Sequence, residues 1–259
     1  MPDASKPPRF YLPRSEGAAP GFIVGSEAAL PFGEAHHAAH VLRLRPGAAV
    51  ELFDGAGGSA LGRIVRVHRR EVAVTVDEVR PPTAPPEPRV TLAFAVPKGN
   101  RLDWLLEKTT ELGVARLSPV IFERSIAGWD ELSAAKRARW FGHSIAAAKQ
   151  AGLDWFPEIA DPRPLAAFLE ETARDDGAAG GLRLFGDLAA EAVPIREALT
   201  CTAPPRRVCL VVGPEGGLAE AERSALQREG FVGVRLGQTT LRIETAAVAL
   251  LAAAVALGT

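Results

Sequence analysis

Two glycine-broken stretches near the end of the chain carry its strongest chemical signal: VVGPEGGLAEAE at 211–222 and LGQTTLRIETAAVALLAA at 236–253. In the first, a short apolar strand runs into a turn bearing Gly213, Pro214, Gly216 and Gly217, then into an acidic helix start. The second is another loop, Leu236–Gly237 onward, opening another helix. Glycines let backbone approach a ligand closely, and a helix N-terminus offers unpaired N–H groups. On these residues alone three readings of the GPEGG turn stay open: a purely structural turn, a phosphate cradle, or a loop whose backbone reads an adenosyl ligand. The phosphate reading is the weakest, because neither loop carries a lysine and the GxxxxGK[ST] pattern is absent.

A second group of chemistry-bearing residues precedes the loops. Lys98, Arg101, Glu107, Lys108 and Glu111 surround a helix expected over 101–112. Glu107 and Glu111 share a face at i, i+4, whereas Glu107 and Lys108 do not face each other. By pattern alone this is a solvent-laced helix. In the second loop, Arg242 and Glu244 sit where the last helix begins, and a glutamate there suits the helix dipole whatever else it does.

The elements that must position these residues alternate. After residue 90 the pattern runs strand (90–96), helix (101–112), strand (115–122), helix (about 133–151), then strands at 182–186, 207–213 and 233–237 with helices at about 219–229 and 242–257. Short buried strands alternating with helices imply a parallel α/β sheet. Before residue 80 the pattern is mostly β: 50–53, 59–67 and 71–79, with one helix over 34–43. Between the halves lies RPPTAPPEPR at 80–89, whose five prolines fit neither a helix nor a central strand. The expected division is therefore 1–80, a linker at 81–89, and 90–259. The DDGAAGG stretch at 175–181 reads as a surface loop.

Bulk properties narrow the class. A 259-residue chain with 47% hydrophobic residues is ample for two packed domains. A formal net charge of -1 means that any nucleic acid is held by local patches and not by a global field. Cys201 and Cys209, with seven residues between them, form neither a zinc motif nor a disulfide framework, which fits a reducing, cytoplasmic compartment. The N-terminal MPDASKPPRFYLPR lacks a signal-peptide apolar run, and the apolar stretch at 246–258 is too short to span a bilayer. That last helix reads as buried or as a subunit interface.

Two patterns are decoys. LFDGAGGSA at 52–60 imitates a nucleotide-binding turn, but β-branched period-two residues follow it where a helix would be required, so it is read as a hairpin. His36, His37 and His40 imitate a metal cluster without the carboxylate or cysteine that would complete one, and are taken as helix and packing residues. Arg43, Arg45, Arg63, Arg66, Arg69, Arg70 and His68 supply a local basic surface.

Four blocks in order resemble one family. RFYL (9–12) with HHAAHVLRLRPGAAVELFDGAGG (36–58), KGNRLDWLLEKTTELGVARLSPV (98–120), GPEGGLAEAE and LGQTTLRIETAA are similar to the RsmE type of the SPOUT superfamily, the small-subunit ribosomal RNA uracil-N3 methyltransferases. The likeness covers nearly the whole chain. One block departs: AAAKQAGLDWFPEI (146–159) keeps Gln150, Pro157 and Ile159 of the family's E-A-x-E-Q-S-x-R-x-x-x-P-x-I pattern, but has Ala146 and Lys149 for acids and Leu153 for arginine.

The resemblance implies an N-terminal PUA-like RNA-binding β-barrel and a C-terminal SPOUT α/β domain with a trefoil knot, assembled as a homodimer. It implies S-adenosylmethionine as methyl donor and 16S rRNA, in the small ribosomal subunit, as acceptor, with neither a membrane nor a metal. Val212, Gly213, Glu215, Gly216, Gly217, Leu236, Gly237, Leu241 and Ile243 are then expected to line the cofactor pocket. Arg9, Arg43, Lys98 and Arg101 are expected on RNA, with Arg101 also at the active site. Arg242 is expected to face the target base or a phosphate, with Glu244 orienting it or assisting proton removal. Two rivals stay open: a non-catalytic RNA-binding assembly factor, and a methyltransferase of the same fold acting on another RNA.

Overall fold

The structure, a computed structural model, describes residues 6–13, 21–68, 71–125, 131–175, 181–200 and 205–257. It forms two compact units, one of residues 1–85 with 148–156 and one of 86–147 with 157–259. The division falls inside the proline-rich stretch. The return of 148–156 to the first unit is not provided for by contiguous domains.

In the first unit, β1 (Arg9–Tyr11), β2 (Glu27–Ala29), β3 (Ala49–Phe53), β4 (Ser59–His68) and β5 (Glu71–Val79) make a five-stranded sheet in the order β1-β3-β4-β5-β2. The alternation along the strands turns Val50, Leu52, Ile64, Val72, Val74 and Val76 into one core with Phe10 and Leu30. The glycine-rich 52–60 stretch is the antiparallel β3–β4 hairpin, not a nucleotide turn. Asp54 Oδ1 accepts the N–H groups of Ala56 at 2.8 Å and Gly58 at 2.9 Å, closing it. Gly55 and Gly57 have φ of +76° and +92°, and a Cβ on either would lie 2.7 Å or less from Phe156, Trp155 or the Thr83 carbonyl. The glycines thus admit the returning segment.

That segment carries Lys149, one of the positions where the sequence departs from the pattern it resembles. Lys149 Nζ sits 2.9 Å from Glu34 Oε2 and 3.2 Å from His37 Nδ1. Arg9 is ion-paired to Asp154 and to Glu51 and lies 4.6 Å over the Phe53 ring. The Trp155 indole N–H donates to the Thr83 carbonyl at 3.1 Å, and Phe156 packs edge-on to Tyr11 and Phe53. A lysine at 149 has its carboxylate in Glu34.

The helix expected over 34–43 begins earlier and changes form. It is α1 (Phe32–His36) continued by a π-helical turn, His37–Val41, closed by the Leu42 N–H on the His37 carbonyl at 2.9 Å. Arg43 then takes φ +53°, a left-handed conformation that costs a non-glycine residue about 1 kcal/mol or more.

The second unit contains β6 (Arg89–Phe94), α2 (Arg101–Glu111), β7 (Arg116–Ile121), α3 (Ala134–Ala151) as far as Ala147, β8 (Glu158–Ile159), β9 (Arg163–Pro164), α4 (Leu165–Asp175), β10 (Leu182–Gly186), β11 (Val193–Pro194), α5 (Ile195–Ala198), β12 (Arg207–Val212), α6 (Glu220–Arg228), β13 (Val232–Arg235) and α7 (Ile243–Val255). The strands run in the order β11-β13-β10-β12-β6-β7-β8, with β9 also on β7, and every pairing is parallel. The parallel α/β sheet expected from the alternation is present. Helix α4 has no counterpart in the expected pattern, although Leu165, Phe168, Leu169 and Thr172 have helical spacing and are buried. Helix α7 packs on α2, β6 and β12. Among the described residues no helix is long and apolar enough to cross a membrane.

Candidate active site

The parallel order fixes where a ligand can sit. β13, β10 and β12 are consecutive in the sheet, so their C-terminal ends open on one edge, the usual location of ligands in open α/β sheets. The loops leaving those ends, 186–189, 213–217 and 236–241, enclose a cavity of about 350 Å³, within the range of small-molecule sites.

The cavity has three kinds of wall. Val212, Leu188, Leu236, Leu241 and Ile243 supply apolar surface. Gly186, Gly213 and Gly217 supply bare backbone, and Gly217, at φ +74°, has open space where a Cβ would project. Asp187, Glu215, Arg223, Thr239 and Thr240 supply polar groups. An aromatic base, a diol and a cationic amino acid head each find a complementary wall here, so S-adenosylmethionine fits the donor and acceptor set.

Neighbouring elements brace the first loop. Arg124 donates to the Gly216 carbonyl at 2.9 Å. Glu222, in the first turn of α6, accepts the Ala219 N–H at 2.8 Å and the Glu123 N–H at 2.7 Å, tying the end of β7 to the loop. Asp187 Oδ1 takes Arg223 at 3.2 Å and the Ala189 N–H at 3.1 Å, with its side chain only 8% exposed.

Residues 85–255 match the RNA methyltransferase domain family, and residues 33–77 match the RNA methyltransferase PUA domain. Ribosomal RNA small subunit methyltransferase E of Mycobacterium tuberculosis is 34% identical over 233 residues, covering 88% of this chain and 86% of that protein. The chain belongs to the ribosomal RNA small subunit methyltransferase E family. A member from Neisseria gonorrhoeae, solved bound to S-adenosylmethionine, is 31% identical with a TM-score of 0.80 over 96% of each chain. A Legionella pneumophila methyltransferase solved with the same cofactor is 29% identical, with a TM-score of 0.82 over 97% of this chain and 98% of that one.

Against this family's expected site, the structure brings Val212, Gly213, Glu215, Gly217, Leu236, Leu241 and Ile243 together around the cavity. Gly216 and Gly237 lie outside the lining; the Gly216 carbonyl faces Arg124 instead. Sequence reasoning missed Asp187, Leu188, Ala189 and Arg223. For Asp187, Leu188 and Ala189 the missing signal was strand order: only the placement of β10 between β12 and β13 brings its loop to the cavity.

Arg101 reaches the rim, where it donates to Glu215 Oε1 at 3.0 Å and to the Lys98 carbonyl at 3.3 Å. Lys98 is exposed beside it. Arg242 is the exposed N-cap of α7, while Glu244 is 6% exposed in the first turn, its Oε2 without a hydrogen-bond partner among the described residues. Among the described residues no ion pair joins the two, so Glu244 does not orient Arg242 here. Lys108 bonds both Glu107 and Glu111, at 2.7 and 2.8 Å, correcting the expectation that adjacent positions stay apart. A flexible lysine stem spans the one-residue step. These two hydrogen bonds, Glu107 first, raise the Lys108 pKa.

The basic surface of the first unit also sorts out. Arg9 was expected on RNA, but its side chain is 11% exposed and holds two carboxylates, so it is a packing residue. Arg63 pairs with Asp77, Arg66 with Glu27 and Glu71, and Arg80 with Glu51. Arg43 and Arg45 are exposed and have no ion pair among the described residues. Arg69 and Arg70 lie outside the described residues.

Proposed function

We propose that this protein methylates N3 of one uridine in 16S rRNA, using S-adenosylmethionine. The observation that carries this reading is the cavity built by the two glycine loops after β12 and β13 together with the loop of β10, the strand between them, in a chain of this family. The cofactor, when bound, supplies a methyl group on a sulfonium, reactive enough for direct in-line transfer. The chain supplies position and charge. Val212, Gly213, Gly217, Leu236, Leu241 and Ile243 hold the adenosyl part through backbone and apolar contacts. Glu215 and Asp187 balance cationic charge. N3–H of uracil is a weak acid, so a cation near O2 or O4 stabilises the anion that must form. Arg101 at the cavity rim takes that role, with Lys98 beside it and Arg242 on an adjoining loop for phosphate or base.

The same reading includes a knotted SPOUT topology for the second unit, a cytoplasmic homodimer, and a PUA-like first unit that grips RNA near Arg43. Support for the dimer comes from α7, whose half-buried Val248, Ala249 and Ala252 lie away from its core-facing Ala247, Leu250, Leu251 and Ala254.

The test is methyl transfer from labelled S-adenosylmethionine to small ribosomal subunits from a strain lacking this gene, with naked 16S rRNA in parallel. Nucleoside mass spectrometry should find 3-methyluridine. A labelled product at a ribose or another base would overturn the N3 assignment, and the better substrate tells whether the enzyme acts on the assembled subunit.

A further inference from the structure

The three histidines of the N-terminal helix, taken from sequence as packing residues, separate in the structure. His37 is half-buried against Lys149. His36 and His40 are exposed, their ring centroids 4.9 Å apart, and with Phe32 and Gly33 they line one shallow surface cavity. Phe32 is 64% exposed, Val41 61% and Leu42 40%. Arg43 and Arg45 follow directly.

We propose that this patch is a stacking platform for unpaired bases of an RNA, with Arg43 and Arg45 holding the flanking phosphates. The proposal rests on the reading that the substrate is RNA, and deepens it by naming single-stranded nucleotides as what the first unit takes.

Four observations converge. Phenyl and imidazole faces are the surfaces on which unstacked bases lie, and every base presents a π-face to them. The chain runs from the apolar patch into Arg43 and Arg45, exposed cations with no ion pair among the described residues, while Arg63, Arg66 and Arg80 of the same unit are all paired with carboxylates, so the unpaired charge after the patch favours a polyanion. Phe32 and His36 stand on α1 and His40 on the π-helical turn that continues it, a form concentrated at functional sites. Arg43 holds a left-handed backbone that glycine or asparagine would adopt more easily; strain of this kind clusters where a side chain is needed for function.

Fluorescence anisotropy with an unstructured ten-nucleotide RNA, and with a duplex of the same sequence, tests this on the full-length protein. The triple variant Phe32→Ala/His36→Ala/His40→Ala should bind the single strand at least about tenfold more weakly, the scale of one missing base–aromatic stack, with its salt slope and duplex affinity unchanged. His40→Phe on the wild-type background should keep the affinity. Arg43→Asn, which tolerates the left-handed backbone, combined with Arg45→Gln should flatten the single-strand salt slope by about 0.7 for each phosphate no longer neutralised. The exposed positions leave the melting temperature near wild type. Equal losses on single strand and duplex, or a triple variant that binds single strands as wild type does, would overturn the platform. If the wild type methylates small subunits and the triple variant matches it in binding and turnover, the platform falls alone. If the wild type neither binds nor methylates any RNA, the functional reading falls with it.

Discussion

Arg101 donates to Glu215 Oε1 at 3.0 Å, joining the first turn of α2 to a carboxylate that lines the cavity. The hydrogen bond spans 114 positions of sequence. Both side chains are partly exposed, 33% and 43%, so the pair contributes little to folding, about 0–1 kcal/mol. Its value lies in pointing a guanidinium at the mouth of the cavity. Arg101→Ala should therefore leave the melting temperature within a few degrees of wild type and lower kcat for methyl transfer by at least about tenfold. Calorimetry beside single-turnover kinetics checks both. A variant that melts early but turns over normally would make Arg101 a structural residue.

Gly213 and Gly217 are expected to respond differently to alanine. A Cβ at Gly213 would sit 2.8 Å from Leu218, inside the fold. A Cβ at Gly217 meets nothing within 4 Å but forces a side chain into φ +74°. Gly217→Ala should cost about 1–2 kcal/mol of stability and also weaken cofactor binding, because its methyl projects beside the cavity. Gly213→Ala should lose stability first, through Leu218. Isothermal titration with S-adenosylmethionine beside denaturant melts separates them; equal cofactor affinity for Gly217→Ala and wild type would remove that glycine from the site.

Asp187 tests the part of the site that no motif announced. Its carboxylate is nearly buried and holds Arg223 and a backbone N–H. Asp187→Ala strands the Arg223 guanidinium, a loss of about 1–3 kcal/mol, and removes an acid from the cavity wall. Weaker S-adenosylmethionine binding together with a lower melting temperature is expected, and Asp187→Asn should recover part of the stability. A normal dissociation constant for Asp187→Asn would assign the residue to folding alone.

What sequence could and could not deliver follows from these residues. Strands such as 207–212 and helices such as 243–255 were legible because their periodicity is local. The glycine loops were legible because turn chemistry is local too. Asp187 was hidden, since its membership depends on β10 inserting between two strands that follow it in the chain. Lys149 read as a departure from family because its partner Glu34 stands 115 positions away. The fate of Arg9 was equally non-local: Asp154 and Glu51, not the residues beside it, decide that it is buried. A threaded topology leaves no periodic trace either, and entered only through resemblance.

The Lys149, Glu34 and His37 cluster makes the first unit sensitive to pH. His37 is held below the ordinary histidine value, chiefly by burial and then by Lys149, with Glu34 opposing. A depressed folded value means that the unfolded chain binds the proton more readily. The stabilisation is therefore present above about pH 6.5, the unfolded value, and is lost as pH falls through the folded one. The melting temperature should drop on acidification from pH 7.5 through 6 and below, and His37→Gln should flatten that dependence. Lys149→Gln should cost about 1–3 kcal/mol at neutral pH by leaving Glu34 without its cation, while raising the His37 pKa followed by NMR. A His37 that titrates unchanged in Lys149→Gln would break the link.

Helix α7 carries the last prediction. Thirteen residues long and almost wholly apolar, it buries Ala247, Leu250, Leu251 and Ala254 against α2, β6 and β12. Its other side shows Val248, Ala249 and Ala252 only half covered. An apolar face of this kind is stable in water when a second surface closes over it, and a two-fold axis would bring the same face of a second copy of the chain against it. Because α7 starts at the loop that lines the cofactor cavity, the pairing would place a subunit boundary beside the site. On the proposed pairing the wild type should sediment as a dimer and Ala252→Arg as a monomer, with weaker S-adenosylmethionine binding in the same step. A monomeric wild type, or an Ala252→Arg that still dimerises with normal cofactor affinity, would remove α7 from the interface.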